Sequence, residues 1–245
     1  MYVHQHWAYN HPYAARTWTI EDWRGYADGL KHIGYNTIMI WPVLETMPDP
    51  LTDSDKENID KIARVIAMLH DEFSMHVYIT LAPNVNAKNA EASKYTFQER
   101  PFFYCDDRVN PADPQALQAL MTWRASLLRP LAAMDGVVII DSDPGGYPNS
   151  TNLEFVYLLQ AHRNMLNALR PGIELFYWCF AGWEAYGRYY ATAQFTWGPD
   201  EESADCIRLL SRQKPEPWGL IGPRVELAEQ LGLSDRMCAF RYGAI

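Results

Sequence analysis

The chain has 245 residues, is 48% hydrophobic and carries a net charge of −9; this length and apolar share require a packed core and exclude a disordered chain. The negative balance excludes electrostatic capture of nucleic acid or of an anionic membrane surface, and no apolar run approaches the ~20 residues of a bilayer span. Nine tryptophans and 15 tyrosines are an excess of flat aromatic surface, which packs cores and also stacks on sugar rings.

Strand-like and helix-like segments alternate. Met1 to Trp7 reads as a first strand; no signal peptide is visible, and a targeting segment ahead of this strand is left open. Thr19-Ile20-Glu21-Asp22 is a capping-box start, after which Ile20, Trp23, Tyr26, Ala27, Leu30 and Ile33 share a helical face and Gly34 stops the helix. Asn36 to Trp41 is the second strand, Ser54-x-x-Glu57 opens the second helix, and His76 to Ala82 is the third strand. A long excursion from Pro83 to Ala112 follows, of the kind that in compact domains is often functional. Asp113-Pro114 starts the third helix, Gly136 to Asp143 forms the fourth strand, and Thr151-x-x-Glu154 opens the fourth helix. Ile173 to Phe180 is the fifth strand. Gln194 to Trp197, Trp218 to Gly222 and Met237 to Tyr242 are expected as strands six to eight, linked by helices near Asp200 to Arg212 and Arg224 to Leu231. The fold class is therefore α/β, a single (β/α)8 TIM-type barrel over 1–245, irregular in its C-terminal third, where one short strand is open to being false. An ending directly after a strand is what a longer natural chain would give.

The stretch Ile139-Ile140-Asp141-Ser142-Asp143-Pro144-Gly145-Gly146-Tyr147 carries the functional expectation. A continuous apolar strand, buried on both faces, ends there in two carboxylates. On an extended chain Asp141 and Asp143 point the same way, and Pro144 favours extension at Asp143. In a barrel of this type active residues lie at the C-terminal ends of strands. Collected there are His4, His6 and Trp7; Trp41 and Glu45; Asn84, Asn86 and the Asp106-Asp107-Arg108 loop; Tyr147; Trp178, Trp183 and Glu184; and, later, Arg241. Acids, amides and indoles suit a neutral, hydroxyl-rich ligand better than a phosphate.

This layout resembles the (β/α)8-barrel glycoside hydrolases, in architecture and site arrangement over most of the chain. The chitinase pattern Asp-Gly-x-Asp-x-Asp-x-Glu is met here by Asp135-Gly136 and then by Val137 to Asp143, one residue out of step and without the final Glu. The β-hexosaminidase Asp-Glu pair is absent. The resemblance implies hydrolysis of a glycosidic bond in an oligo- or polysaccharide by paired carboxylates, one protonated and one ionised. It implies a carbohydrate substrate and no cofactor; no dinucleotide, phosphate-loop or nucleophile-elbow motif is present. Asp143, nearer the rim, is the expected proton donor and Asp141 the ionised partner, with Glu45 and Glu184 in reserve. The expected substrate contacts are His4, His6, Trp7, Trp41, Asn84, Asn86, Tyr147, Trp178, Trp183 and Arg241. Cleavage assisted by a substrate acetamido group is a refinement of the same reading.

Competing readings are structural. Asp141 would then bind backbone amides, Asp143 would cap the Gly145-Gly146 turn, and the tryptophans would pack the core. Two other functions fit the same residues: a non-catalytic glycan-binding barrel, and a metal-dependent hydrolase using the His4-Gln5-His6 motif, although strand five supplies no histidine. Cys105, Cys179, Cys206 and Cys238 fit no zinc spacing and fix no compartment. Oligomeric state is not legible.

Overall fold

A computed structural model of the chain describes residues 1–6, 14–101, 106–142, 144–180, 182–193, 200–213, 219–222 and 225–238. In chain order these form β1 (Tyr2–His4), α1 (Ile20–His32), β2 (Thr37–Trp41), α2 (Asp53–Phe73), β3 (His76–Leu81), β4 (Val85–Ala87), α3 (Asn89–Ala92), β5 (Asp106–Arg108), α4 (Pro114–Leu128), β6 (Gly136–Ile140), α5 (Asn152–Leu169), β7 (Glu174–Trp178), α6 (Trp183–Thr192), α7 (Asp200–Gln213), β8 (Gly219–Ile221), α8 (Val225–Gln230) and β9 (Met237–Cys238).

Local signals set most helix starts. Thr19 and Asp22 cap each other at α1, and Thr151 and Glu154 do so at α5. Asp113 accepts from the N–H groups of Gln115 and Ala116 ahead of Pro114 at α4. At α2 the box is Thr52 with Asp55, two residues upstream of the expected Ser54-x-x-Glu57 start. Ser54 Oγ instead accepts from Phe97 N–H at 2.9 Å. Asp55 also holds Arg100 in a fully buried bidentate pair, at 2.6 and 3.0 Å, which ties the excursion after β3 to the head of α2.

Seven strands form one parallel sheet in the order β1-β2-β3-β6-β7-β8-β9, and β4 pairs with β5 in a separate antiparallel ribbon. Parallel strands in chain order, joined by helices, make the wall of a (β/α) barrel. Among the described residues its edge strands β1 and β9 are not paired with each other. The C-terminal third is irregular. β8 pairs directly with β7, Phe176 opposite Gly219, so the expected seventh strand takes the sixth place. The expected strand at Gln194 to Trp197 lies outside the described residues. Both α6 and α7 fall in that one crossover.

Register fixes which side chains face inward. Met39, Tyr78, Val138 and Phe176 line one cavity inside the sheet, so they share its inner face. Ile139 lies opposite Tyr177, whose ring packs on Phe155 of α5, so this parity faces the helices. The inner cavity is about 470 Å³ and sits at the N-terminal ends of the strands, away from the end where chemistry is expected. Glycines make its walls possible: a Cβ on Gly136 would meet the Tyr78 ring at 2.6 Å, and one on Gly219 the Phe176 ring at 2.1 Å. No helix of the described residues is long and apolar enough to cross a membrane.

Candidate active site at the strand ends

By parity, Asp141 follows Ile139 and faces the helices rather than the barrel axis. It is fully buried. Tyr177 Oη donates to it at 2.8 Å and Ser142 Oγ at 2.7 Å. The backbone N–H groups of Phe180 and Gly182 also donate, at 3.1 and 3.2 Å. Burial raises its pKa, and these bonds oppose the rise. A carboxylate so enclosed anchors the loop from β7 to α6, which is the amide-binding role rather than that of an ionised partner in the mouth. Asp143 lies outside the described residues, as do Trp7 and Arg241.

Glu184 and Trp183 open α6 rather than lying on a strand-end loop. Glu184 Oε1 accepts from Asn152 N–H at 2.8 Å and so caps α5. Trp183 is 1% exposed and packs on Phe155, 5.3 Å between ring centroids, and edge-on with Tyr147 at 6.3 Å. The indole is helix-layer core and offers no face to a sugar. Asn86 sits on β4 opposite Asp107, in the excursion ribbon.

Of the remaining expected residues, His4, Trp41 and Glu45 come together at the ends of β1 and β2, beside the end of β3. His4 stacks on Trp41 at 4.7 Å. Trp41 Nε1 donates to Glu45 Oε1 at 2.8 Å, and the Ala82 N–H donates to the same oxygen at 2.6 Å. Glu45 stands in a short turn, Leu44–Thr46, entered through Val43 at φ 49°, a left-handed conformation costly for a β-branched residue. The acid is buried, and burial raises its pKa against the pull of the Ala82 N–H, Arg124 and Trp41. Its second oxygen, Oε2, has no partner among the described residues. Glu45 and Arg124 are among the residues lining a void of about 10 Å³, room for one water at most.

Two further polar atoms are left over nearby. Thr80 Oγ1, on β3, is buried without a partner among the described residues. Asn84 donates from Nδ2 to the carbonyls of Val109 (2.8 Å) and Gly146 (3.1 Å), joining the loops after β3 and β6, while its Oδ1 has no partner among the described residues. Across the mouth, Trp178 meets Tyr2 edge-on at 5.2 Å and Phe180 at 5.9 Å.

His4 and His6 are uncharged. Burial lowers both pKa values to about 3, and for His6 the charges of Arg16 and Arg100 add to the effect. His4 Nδ1 accepts from the His6 backbone N–H at 3.0 Å, so that nitrogen is not open to a metal. Among the described residues no group of three or more His, Cys, Asp or Glu is placed to hold a metal ion.

Sequence reading missed Arg16, Thr80 and Arg124. Arg124 is buried on α4 and donates to the carbonyls of Ala82, Pro83 and Val85, fixing the backbone just beyond β3. The available signal was its position between Leu120, Met121, Leu127 and Leu128, an arginine on the apolar face of a helix. Nothing in the spacing marks Arg16 or Thr80.

No family model matches the chain, and no curated protein matches it. Solved structures similar to it include a family 5 glycoside hydrolase from Streptomyces cattleya in complex with Manβ1-4GlcNAc, at 14% identity and TM-score 0.47, covering 72% of this chain and 43% of that one. A maltogenic α-amylase from Thermotoga neapolitana is similar at 15% identity and TM-score 0.42, covering 85% of this chain and 56% of that one. Oxaloacetate acetylhydrolase is similar at 13% identity and TM-score 0.39, covering 88% and 71%. The chain spans about half the length of the two carbohydrate-active enzymes. Glycoside hydrolases recur among these neighbours, beside an enzyme named for other chemistry; at such identities and scores the likeness is one of architecture and assigns neither activity nor residues.

Proposed function

We propose that the chain is a glycosidase acting at the C-terminal mouth of the sheet, with Glu45 as proton donor and Asp143 as the ionised partner. The observation that carries this reading is the cluster at the ends of β2 and β3. There Glu45 Oε2, Thr80 Oγ1 and Asn84 Oδ1 are buried without partners among the described residues. Native interiors leave few polar atoms unpaired, so a cluster of them points to a ligand with hydroxyl groups. A buried acid with a raised pKa suits donation of a proton to the glycosidic oxygen. Asp143 would stabilise or attack the anomeric carbon, after which water takes the sugar. Asp141 is assigned no chemical step.

A panel of chromogenic aryl glycosides tests this on the wild type, Glu45→Gln and Asp143→Asn. Each substitution is expected to lower kcat by about 100-fold or more with little change in melting temperature. Full activity in both variants, or no cleavage by the wild type, sinks the proposal. A second reading, a glycan-binding barrel without catalysis, is favoured by one observation: Asp141 and Glu184 are both occupied by backbone amides. It is distinguished by saccharide binding that persists in Asp143→Asn with no hydrolysis by any form.

A further inference from the structure

Arg16 lies in the turn Ala15–Thr17, whose backbone is tied to the end of β1 by the Arg16 N–H donating to Gln5 O at 3.1 Å. Its side chain is buried, with 4% of the residue exposed. Among the described residues no carboxylate pairs with its guanidinium, and Nε has no acceptor. Among the described residues its surroundings do not compensate it. Arg100, the next cation, is matched by Asp55, which has no further oxygen to offer: Oδ1 and Oδ2 hold the guanidinium and Oδ2 closes the α2 cap. Lys61 adds positive charge, its Nζ donating to the Arg16 carbonyl at 2.9 Å. His6 is held neutral first by its burial, with the charges of Arg16 and Arg100 adding to the effect. In a chain of net charge −9 this is a local positive locus at the end of β1.

A buried cation without a counter-ion is unfavourable, and the usual remedy is an anion in hydrogen-bonding contact. Resting on the carbohydrate reading above, we propose that Arg16 receives a carboxylate carried by the sugar, so that the preferred ligand is a uronic acid rather than a neutral hexose. The planar guanidinium matches a carboxylate through two parallel hydrogen bonds. A single guanidinium fits a monoanion; a phosphate dianion would draw on more donors, and the Lys61 ammonium is already engaged with the backbone.

Isothermal titration calorimetry with D-glucuronate, D-glucose and inorganic sulfate tests the proposal on the wild type, Arg16→Gln and Arg16→Lys. The wild type is expected to bind glucuronate at least tenfold more tightly than glucose. That preference should vanish in Arg16→Gln and fall at least threefold in Arg16→Lys, which keeps the charge without the fork and serves alone if the first variant does not fold. Without ligand, Arg16→Gln should melt no lower than the wild type, because it loses an uncompensated charge. Equal affinity for the two sugars, no binding of either, or an unchanged preference in the variants overturns the proposal. So does sulfate displacing glucuronate at equal concentration, which would mean an adventitious ion only. Because the readout is binding, a glucuronate preference without hydrolysis removes the glycosidase reading and leaves this one standing, and hydrolysis of neutral glycosides without the preference does the reverse.

Discussion

Asp141 accepts from a phenol, a hydroxyl and two backbone N–H groups, and this saturation has a measurable consequence. Asp141→Asn places an amide donor against N–H groups that need an acceptor. The expected loss is about 2–3 kcal/mol of stability, read by urea unfolding. A variant as stable as the wild type would return Asp141 to the candidates for chemistry. The residue itself was legible as an acid closing a strand, but its direction was not. Val137 to Ile140 are all buried, so the period of two gives the parity of Asp141 without saying which parity faces the axis. Glu45 was legible in the same limited way, as an acid just past a strand. Its raised pKa comes from burial among elements distant in the chain, against the pull of the Ala82 N–H, Arg124 and Trp41.

At the scale of elements, helices announced themselves where a cap does. The Thr19–Asp22 and Thr151–Glu154 boxes were readable because both partners lie within one turn. At α2 two overlapping boxes were available, and the structure uses Thr52 with Asp55 while Ser54 serves Phe97. α6 gave no start signal, since Gly182 at its N-cap supplies no side-chain bond. Strand packing is equally specific. Gly219→Ala would put a methyl group 2.1 Å from the Phe176 ring, and the ring would have to leave the inner face of β7. A loss of about 1–3 kcal/mol is expected in thermal unfolding. A neutral result would show that this ring already has another place to go.

At the scale of the whole molecule, buried neutral histidines couple folding to pH. His162 donates from Nδ1 to Leu158 O and accepts at Nε2 from Arg124, so it is held as one neutral tautomer. Burial, with the charge of Arg124, lowers its pKa from 6.5 to about 3. The unfolded chain then binds the extra proton between these values. Stability is fully present above pH 6.5 and is lost as pH falls toward 3, by up to about 1.4 kcal/mol per pH unit for this residue. His4 and His6 act in the same direction. Asp141 and Glu45, with raised values, act in the opposite one: their contribution is lost as pH rises through the folded pKa. His162→Gln is therefore expected to flatten the stability–pH curve between pH 6.5 and 3 by one proton, measured as urea midpoints across that range. An unchanged slope would mean that His162 is not held neutral in the folded protein.

The sequence by itself determined the alternation of strands and helices, the parallel α/β class, most helix starts and the set of strand-end residues from which a site could be drawn. Each of these follows from contacts within a few residues or from the side-chain period of one element. Only the tertiary structure decided that β8 follows β7 in the sheet, that Asp141 and Glu184 serve backbone amides, and that Arg16 is buried beside His6 without a counter-charge among the described residues. These depend on which elements become neighbours across tens of residues, and on whether a buried polar group finds its partner there, which no local pattern records.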